Sequence, residues 1–430
     1  MERTIYGKLL DWKASARRKP LILEGVRQCG KTHILMQFGR ENYDSVAYLN
    51  FEEDPSLASL FERDLDPHRI ISEIRIVYSK NISEDTLIIF DEIQCCGKAL
   101  TSLKYFNEKA PQYHVVCAGS LLGLLHSVPT SFPVGKVEFL KMYPLSFREF
   151  IIASGKSELR DHLLSAADPD IPEAMMNILN RLYTEYCFVG GMPEAVLSWQ
   201  EFHDPERVRK IQSDIIRLYQ SDFAKYAPKN DIKRIMSIWS SIPAQLSKEN
   251  KKFIFGHAVD GGRARDLEDS LQWLIDAGMV IRVKLVTRPM VPLSAYSKGS
   301  CFKLYCSDIG LLGAMADLKF SSVTASDGRY TEFKGAVTEN YVLTELISAT
   351  GDIPYYWRSE GKAEVDFVHI INDLIVPIEV KSGGYKRLRS MELYINEYGP
   401  EKAAVISNAA HRNGLVSIPL PLVWKIKDVL

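Results

Sequence analysis

The sequence predicts an α/β chain of several domains, a parallel-sheet domain first and a second α/β domain last. Three stretches predict it. "PLILEGVRQCGKTHILMQF" sets a glycine-rich loop between an apolar run and a helical one. "TLIIFDEIQ" (86–94) is an apolar run that ends in two acids. "EVDFVHIINDLIVPIEVKSGG" (364–384) reads as two strands around a tight turn, with charges in both strands.

In the first stretch Leu21, Ile22 and Leu23 form a short strand, and Ile34, Leu35 and Phe38 have helical spacing. Between them lies the full G-x-x-x-x-G-K-[ST] pattern, from Gly25 to Gly30-Lys31-Thr32. The glycines let the backbone curl so that N–H groups and a helix N-terminus face phosphate oxygens. The expected nucleotide-binding segment is therefore Gly25, Val26, Arg27, Gln28, Cys29, Gly30, Lys31, Thr32 and His33. Lys31 would reach the β- and γ-phosphates and Thr32 would ligate Mg²⁺, which makes ATP and Mg²⁺ the expected cofactors. The run before Asp91 suits a strand buried on both faces. Asp91 would hold Mg²⁺ through water and Glu92 would orient or deprotonate the attacking water. An acidic N-cap for the next helix is the alternative, and the two are compatible. A third strand in "YHVVCAGSLLG" ends at Ser120, either a γ-phosphate sensor or a simple turn. "SVAYLNFEED" supplies a fourth strand. Strands alternating with helices predict a three-layer α/β domain over residues 1–154.

Residues 155–229 read as a helical lid or linker: Met176, Leu179, Leu182, Tyr183 and Tyr186 fall near helical spacing before Gly190, Gly191 and Pro193 break it. Residues 230–318 run helix, helix, strand, loop, strand, the outline of a winged helix-turn-helix. Leu267, Leu271 and Leu274 share one helix face that stops at Gly278, and "VIRVKLVT" and "CFKLYCSD" can pair around the loop between them. From Asp231 to Ser300 there are eleven Lys/Arg against seven Asp/Glu, a local excess of +4. DNA is thus a candidate partner, through Arg263 and Arg265. Asp266 and Asp269 lie on the same helix, and a protein partner fits such a domain as well.

In the last stretch Asn372-Asp373 suits a two-residue turn, which places Asp366 opposite Glu379 with Lys381 on the same face. Facing Cβ atoms lie ~4.5–5.5 Å apart, so the two carboxylates repel unless a cation binds between them. Pro377 removes a ladder donor and points to an edge or a bulge, which would shift that register. Salt bridges to Lys381 and Arg358 are a second account of these charges.

The segments "GVRQCGKT", "LIIFDEIQ", "AGSLLG", "YPLSFREF" and "VGGMPEAV", in this order, resemble prokaryotic AAA-superfamily ATPases that carry a C-terminal restriction-endonuclease-like domain. The resemblance implies an AAA-type ATPase domain over 1–154 and a PD-(D/E)xK nuclease-like domain over 319–430. It implies Asp366 and Glu379 as Mg²⁺ ligands, Lys381 beside the water or the phosphate charge, and Glu339 as a further metal carboxylate. The expected catalytic set is then Lys31, Glu92, Asp366, Glu379 and Lys381. One departure stands out: the family often has Gly-Arg where this chain has Gly135-Lys136, and ammonium is a weaker arginine finger because it lacks the guanidinium fork. The expected function is a nucleic-acid-directed ATPase with a metal-dependent nuclease-like domain. The alternative is a switch or signalling ATPase whose winged-helix and nuclease-like domains bind a protein or DNA without cutting. A remodelling role is disfavoured, since no aromatic-hydrophobic pore loop stands out.

The 46% hydrophobic and 25% charged composition is that of a soluble globular chain. A formal charge of −1 offers no whole-chain attraction to nucleic acid or membrane, so any basic surface is local. No apolar run approaches the ~20 residues of a membrane span, and the charged N-terminus lacks a signal peptide's apolar core. Seven scattered cysteines without zinc-ligand spacing read as reduced thiols, and the cytoplasm is the expected compartment. ATP, DNA and a second copy of the chain are the candidate partners; a membrane is not.

Overall fold

The computed structural model describes residues 1–78, 81–119, 133, 135–165, 171–324, 331–361, 363–383, 388–409 and 414–430. The chain forms two compact units: Glu2–Pro144 with Asp276–Gly278, and Leu145–Ile275 with Met279–Leu430, to which Met1 also belongs.

The N-terminal unit is built on a five-stranded sheet of β1 (Leu21–Glu24), β2 (Ser45–Asn50), β3 (Thr86–Asp91), β4 (His114–Gly119) and β5 (Glu138–Lys141), in the order β2-β3-β4-β1-β5. Every pairing is parallel. A parallel sheet is covered on both faces, which is why all six residues of β3 are buried and why the run before the acids is uninterrupted. Leu49, Ile74, Phe90 and Phe106 belong to one core cluster in this unit. The loop after β1 and the acids ending β3 lie at the carboxyl ends of the strands, where open α/β sheets bind ligands. Ser120 lies outside the described residues.

The C-terminal unit begins with the helices Phe147–Ala153, Ser157–Ser165, Glu173–Val189, Pro193–Phe202 and Pro205–Tyr226. Helices Ile232–Leu246, Phe255–Ala258 and Ala264–Asp276 follow, and then a seven-stranded sheet. Its strands are β6 (Val280–Val286), β7 (Ser297–Cys306), β8 (Tyr355–Arg358), β9 (Glu364–Ile371), β10 (Leu374–Val380), β11 (Ala404–Ile406) and β12 (Val416–Ile418), in the order β12-β11-β10-β9-β8-β6-β7. Helix Thr331–Thr350 precedes β8. Among the described residues no helix is long and apolar enough to cross a membrane.

The compact units change at Pro144/Leu145, ten residues before the expected end of the first domain at 154. Helix Phe147–Ala153 starts at a Ser146/Glu149 capping box and is tied to the C-terminal unit by the Phe147 N–H, which donates to Glu345 at 2.8 Å. The expected boundary between 318 and 319 cuts a single sheet. The β6–β7 hairpin does not stand as a separate domain, because Leu285 and Val286 pair in parallel with Tyr356 and Trp357 of β8. That pairing covers an edge the hairpin would otherwise leave open.

The "YPLSF" and "VGGMP" segments meet in a buried polar knot. The Leu145 N–H donates to the Gly191 carbonyl at 2.7 Å, and the Tyr186 hydroxyl donates to the Leu145 carbonyl at 2.5 Å. Asp308 accepts from the N–H groups of Gly191 (2.6 Å) and Leu311 (2.9 Å). Burial raises the Asp308 carboxyl to about 6 even though backbone N–H groups favour its ionised form. Burial, with the Glu149 charge, raises Glu345 to about 8. A Cβ at Gly191 would stand 2.1 Å from the Leu145 carbonyl oxygen. Gly191→Ala is therefore expected to destabilise the chain at the upper end of the ~1–3 kcal/mol typical of overpacking, read as a lowered midpoint in denaturant unfolding.

Candidate nucleotide site and C-terminal charge cluster

The loop after β1 is shaped by backbone that most residues avoid: Gln28 has φ 64° and Gly30 has φ 97°. A Cβ at Gly25 would lie 2.3 Å from the Met142 carbonyl oxygen, so glycine is needed there for space. Arg3 braces the loop from 26 residues away, donating to the Cys29 carbonyl at 3.0 Å and to the Tyr143 carbonyl at 2.6 Å. Lys31 opens the helix Lys31–Asn42 and folds back over the loop, its Nζ 2.8 Å from the Gly25 carbonyl and 3.0 Å from that of Val26. Arg27 pairs with Glu52 at 3.7 Å, and His33 is exposed.

Asp91 and Thr32 come together: Thr32 Oγ1 donates to Asp91 Oδ2 at 2.7 Å. Tyr48, which the sequence reading missed, donates to the same oxygen at 2.8 Å, and the Glu92 N–H donates to Oδ1 at 3.0 Å. A buried carboxylate beside a hydroxyl at the mouth of the loop is a hard-oxygen donor set of the kind Mg²⁺ takes, so these residues fit that ion. Glu92 adopts a left-handed φ of 48°, a conformation uncommon outside glycine. Its Oε2 accepts from Gln94 Nε2 at 2.5 Å. Lys136 pairs with Glu108 at 2.9 Å.

Arg263 and Arg265 are exposed at the start of helix Ala264–Asp276, and Arg265 pairs loosely with Asp266 at 3.6 Å. The opposite face of that helix, with Leu267, Leu271 and Leu274, is buried.

In the last hairpin Asn372 (φ 49°) and Asp373 (φ 65°) both take positive φ, the condition for a two-residue turn whose twist matches its strands. The register is the expected one: Leu374 faces Ile371, and Ile378 faces Phe367 one step before Asp366 and Glu379. Pro377 pairs with Val368 without a bulge. Asp366 Oδ2 accepts from the Val380 N–H at 2.8 Å, and Lys381 Nζ lies 2.5 Å from Glu379 Oε1.

Two lysines absent from the expected site complete this cluster. Lys303 of β7 is fully buried, its Nζ 2.6 Å from Glu364, 3.4 Å from Glu339 and 4.0 Å from Asp366. Lys251 pairs with the other oxygen of Glu339. Burial works against the Lys303 ammonium, but Glu339, Glu364 and Asp366 hold its pKa well above the ordinary lysine value. Burial likewise opposes ionisation of Glu339, yet Lys251 and Lys303 outweigh it and keep that carboxyl well below the usual range. Asp366 moves the other way, raised by burial and by the charges of Glu339 and Glu379. Burial also raises Glu379, against the pull of Lys381.

Glu339, Asp366 and Glu379 come close enough for the charges of Glu339 and Glu379 to raise the Asp366 carboxyl. Among the described residues no group of three or more His, Cys, Asp or Glu is arranged to hold a metal ion. Glu339 is committed to two ammonium groups. Lys303 stands among the oxygens a metal would need, so the residues present do not fit a metal liganded by Glu339, Asp366 and Glu379 together. Glu379 Oε2 is buried with no hydrogen-bond partner among the described residues.

Three family models match the chain: an AAA domain over residues 17–151, and domains of unknown function, DUF8612 over 180–322 and DUF4143 over 334–423. An uncharacterized protein of Haemophilus influenzae is 26% identical over 189 residues, which are 41% of this chain and 40% of that protein. The match thus spans about two fifths of that relative. The ORC1 protein of Aeropyrum pernix, solved in complex with DNA, aligns with a TM-score of 0.31 and 13% identity over 73% of this chain and 90% of that one. AMPPCP-bound DnaA from Aquifex aeolicus aligns at 0.26 and 11% identity, over 63% and 86% of the two chains. Both likenesses are too distant to bear on function. Residues 17–151 are an AAA domain of the P-loop kind, by the family match and by the parallel sheet with its glycine-rich loop.

Tyr48→Phe removes one donor from Asp91 and leaves the ring in place. Loss of such an outer partner typically costs 10–100-fold in metal affinity or activity. The expected outcome is about a tenfold rise in the Mg²⁺ concentration that half-saturates nucleotide turnover, measured by phosphate release, with unchanged thermal stability.

Proposed function

We propose that the chain is an ATP-hydrolysing switch directed to DNA, which its C-terminal unit binds without cutting. The observation that carries the ATPase reading is the meeting of Thr32 with Asp91 at 2.7 Å beside the loop that Lys31 crosses. Thr32 and Asp91 would hold Mg²⁺, which when bound neutralises charge on the β- and γ-phosphates. Lys31 would release the Gly25 and Val26 carbonyls and turn its ammonium to the phosphates. Glu92 would accept the proton of the attacking water, and the loop N–H groups and the helix N-terminus would hold the phosphate oxygens.

The DNA reading is supported by the local excess of +4 between Asp231 and Ser300 and by exposed Arg263 and Arg265. A winged-helix role for the helices 232–276 and the β6–β7 hairpin accords with their order, and a nuclease-like ancestry for the last hairpin accords with its acids and lysine. Binding without cleavage is favoured because the carboxylates of that hairpin are engaged by lysines. The alternative, a protein in place of DNA, shares the same ATPase cycle.

Lys31→Ala is expected to abolish ATP binding in equilibrium titration. Glu92→Gln should keep it and stop turnover, since an amide cannot take the water's proton. Parent-level affinity in the first variant or parent-level hydrolysis in the second would refute the assignment. Charge reversal at Arg263 and Arg265 should weaken binding to duplex DNA and flatten its dependence on salt. Unchanged affinity and slope in that titration would favour the protein partner.

A further inference from the structure

The cluster around the last hairpin draws charges from five parts of the C-terminal unit. Glu339 comes from helix Thr331–Thr350, Glu364 and Asp366 from β9, and Glu379 from the end of β10 with Lys381 just after it. Lys303 comes from β7, and Lys251 from the segment between helices Ile232–Leu246 and Phe255–Ala258. Burying an ammonium costs several kcal/mol unless carboxylates and good geometry offset it. Lys303 meets that condition: it is fully buried, it has three N–H donors, and three carboxylates lie within 4.0 Å of its Nζ. The Tyr356 ring lies under the same ammonium, with its centroid 5.1 Å away. The Lys303 backbone is pinned as well, by a bridge to Lys252 and by the Phe253 N–H donating to the Phe302 carbonyl at 2.8 Å.

We propose that Lys303 is the resident cation of this cluster, held by Glu339, Glu364 and Asp366 beside the Glu379–Lys381 pair, in place of a divalent metal. The chain supplies from β7 the positive charge that completes its own carboxylate site. A divalent ion entering among Glu339, Glu364 and Asp366 would have to displace an ammonium that those acids already hold. This inference is independent of the nucleotide site and survives if the ATPase reading fails.

The test uses the full chain with Thr32→Ala, which takes away the hydroxyl ligand expected at the nucleotide site. Thermal unfolding is followed without nucleotide, with and without millimolar Mn²⁺. With Lys303 present, Mn²⁺ should not shift the melting of the chain. Lys303→Ala should lower the melting temperature by several degrees, and Mn²⁺ should recover part of that loss, because the truncated side chain leaves the cation's place open. Mn²⁺ stabilisation of the chain that still has Lys303 would overturn the proposal. So would a Lys303→Ala chain that melts like its parent, or one that Mn²⁺ fails to rescue. If Lys303→Ala does not fold, Asp366→Asn in the same background decides. Its amide oxygen can still accept the Val380 N–H, and a resident lysine predicts no Mn²⁺ effect before or after the substitution. A Mn²⁺ effect that Asp366→Asn removes would show a metal site and refute the lysine.

Discussion

A charge that leaves water must bring its counter-charge along, and the C-terminal unit is arranged around one such demand. Lys303 has no exposed surface. Its ammonium must reach Glu339, Glu364 and Asp366, which sit on a helix and on a strand three places away in the sheet order. The order β9-β8-β6-β7 would keep β7 far from β9 in a flat sheet, so the sheet must curl. The Tyr305 and Phe367 rings, 6.2 Å apart, mark the same approach. The short β6–β8 pairing, two residues long, leaves the rest of the hairpin able to turn over the face of β9. Helix, hairpin and sheet thus meet at one buried cation.

The nucleotide site solves a similar problem with neutral donors. Asp91 is as deeply buried, but its oxygens are met by a threonine hydroxyl, a tyrosine hydroxyl and a backbone N–H. Neutral donors leave the carboxylate's charge uncancelled, whereas an ammonium offsets it. The two acidic centres of the chain therefore differ in kind, although each is a buried carboxylate group at a strand end.

What could be read from the sequence was local. Gly25 to Thr32 announces its loop because the glycines that make the turn also sit at the fixed offsets of the motif. The hairpin register could be read from Asn372-Asp373, residues that suit a two-residue turn, although Pro377 left a bulge open until the strands were seen to pair. Contacts between distant segments were not legible. Lys303 lies 36 residues from Glu339, Lys251 lies 88, and nothing near either lysine signals an acidic partner. Arg3 and Tyr48 were missed for the same reason, since each meets its target only through folded neighbours. The β6–β7 hairpin looked self-contained because its own strands satisfy each other, and its free edge shows only once β8 is in place. The tie between Phe147 and Glu345, 198 residues on, was equally invisible in the local pattern after Pro144.

That separation has a consequence for how the chain is made. All five strands of the first sheet have been made once Lys141 is synthesised. The knot that begins at Leu145 is different. Gly191 needs Asp308, 117 residues later, and Phe147 needs Glu345, 198 residues later. At ordinary elongation rates 198 residues take roughly 10–40 s. During that interval the helices from Phe147 to Tyr226 exist without the groups that close them. The nascent chain therefore carries a finished first sheet ahead of an unfinished helical segment with apolar faces uncovered. That segment is where a chaperone would be needed and where a stalled ribosome would leave the protein most prone to aggregate.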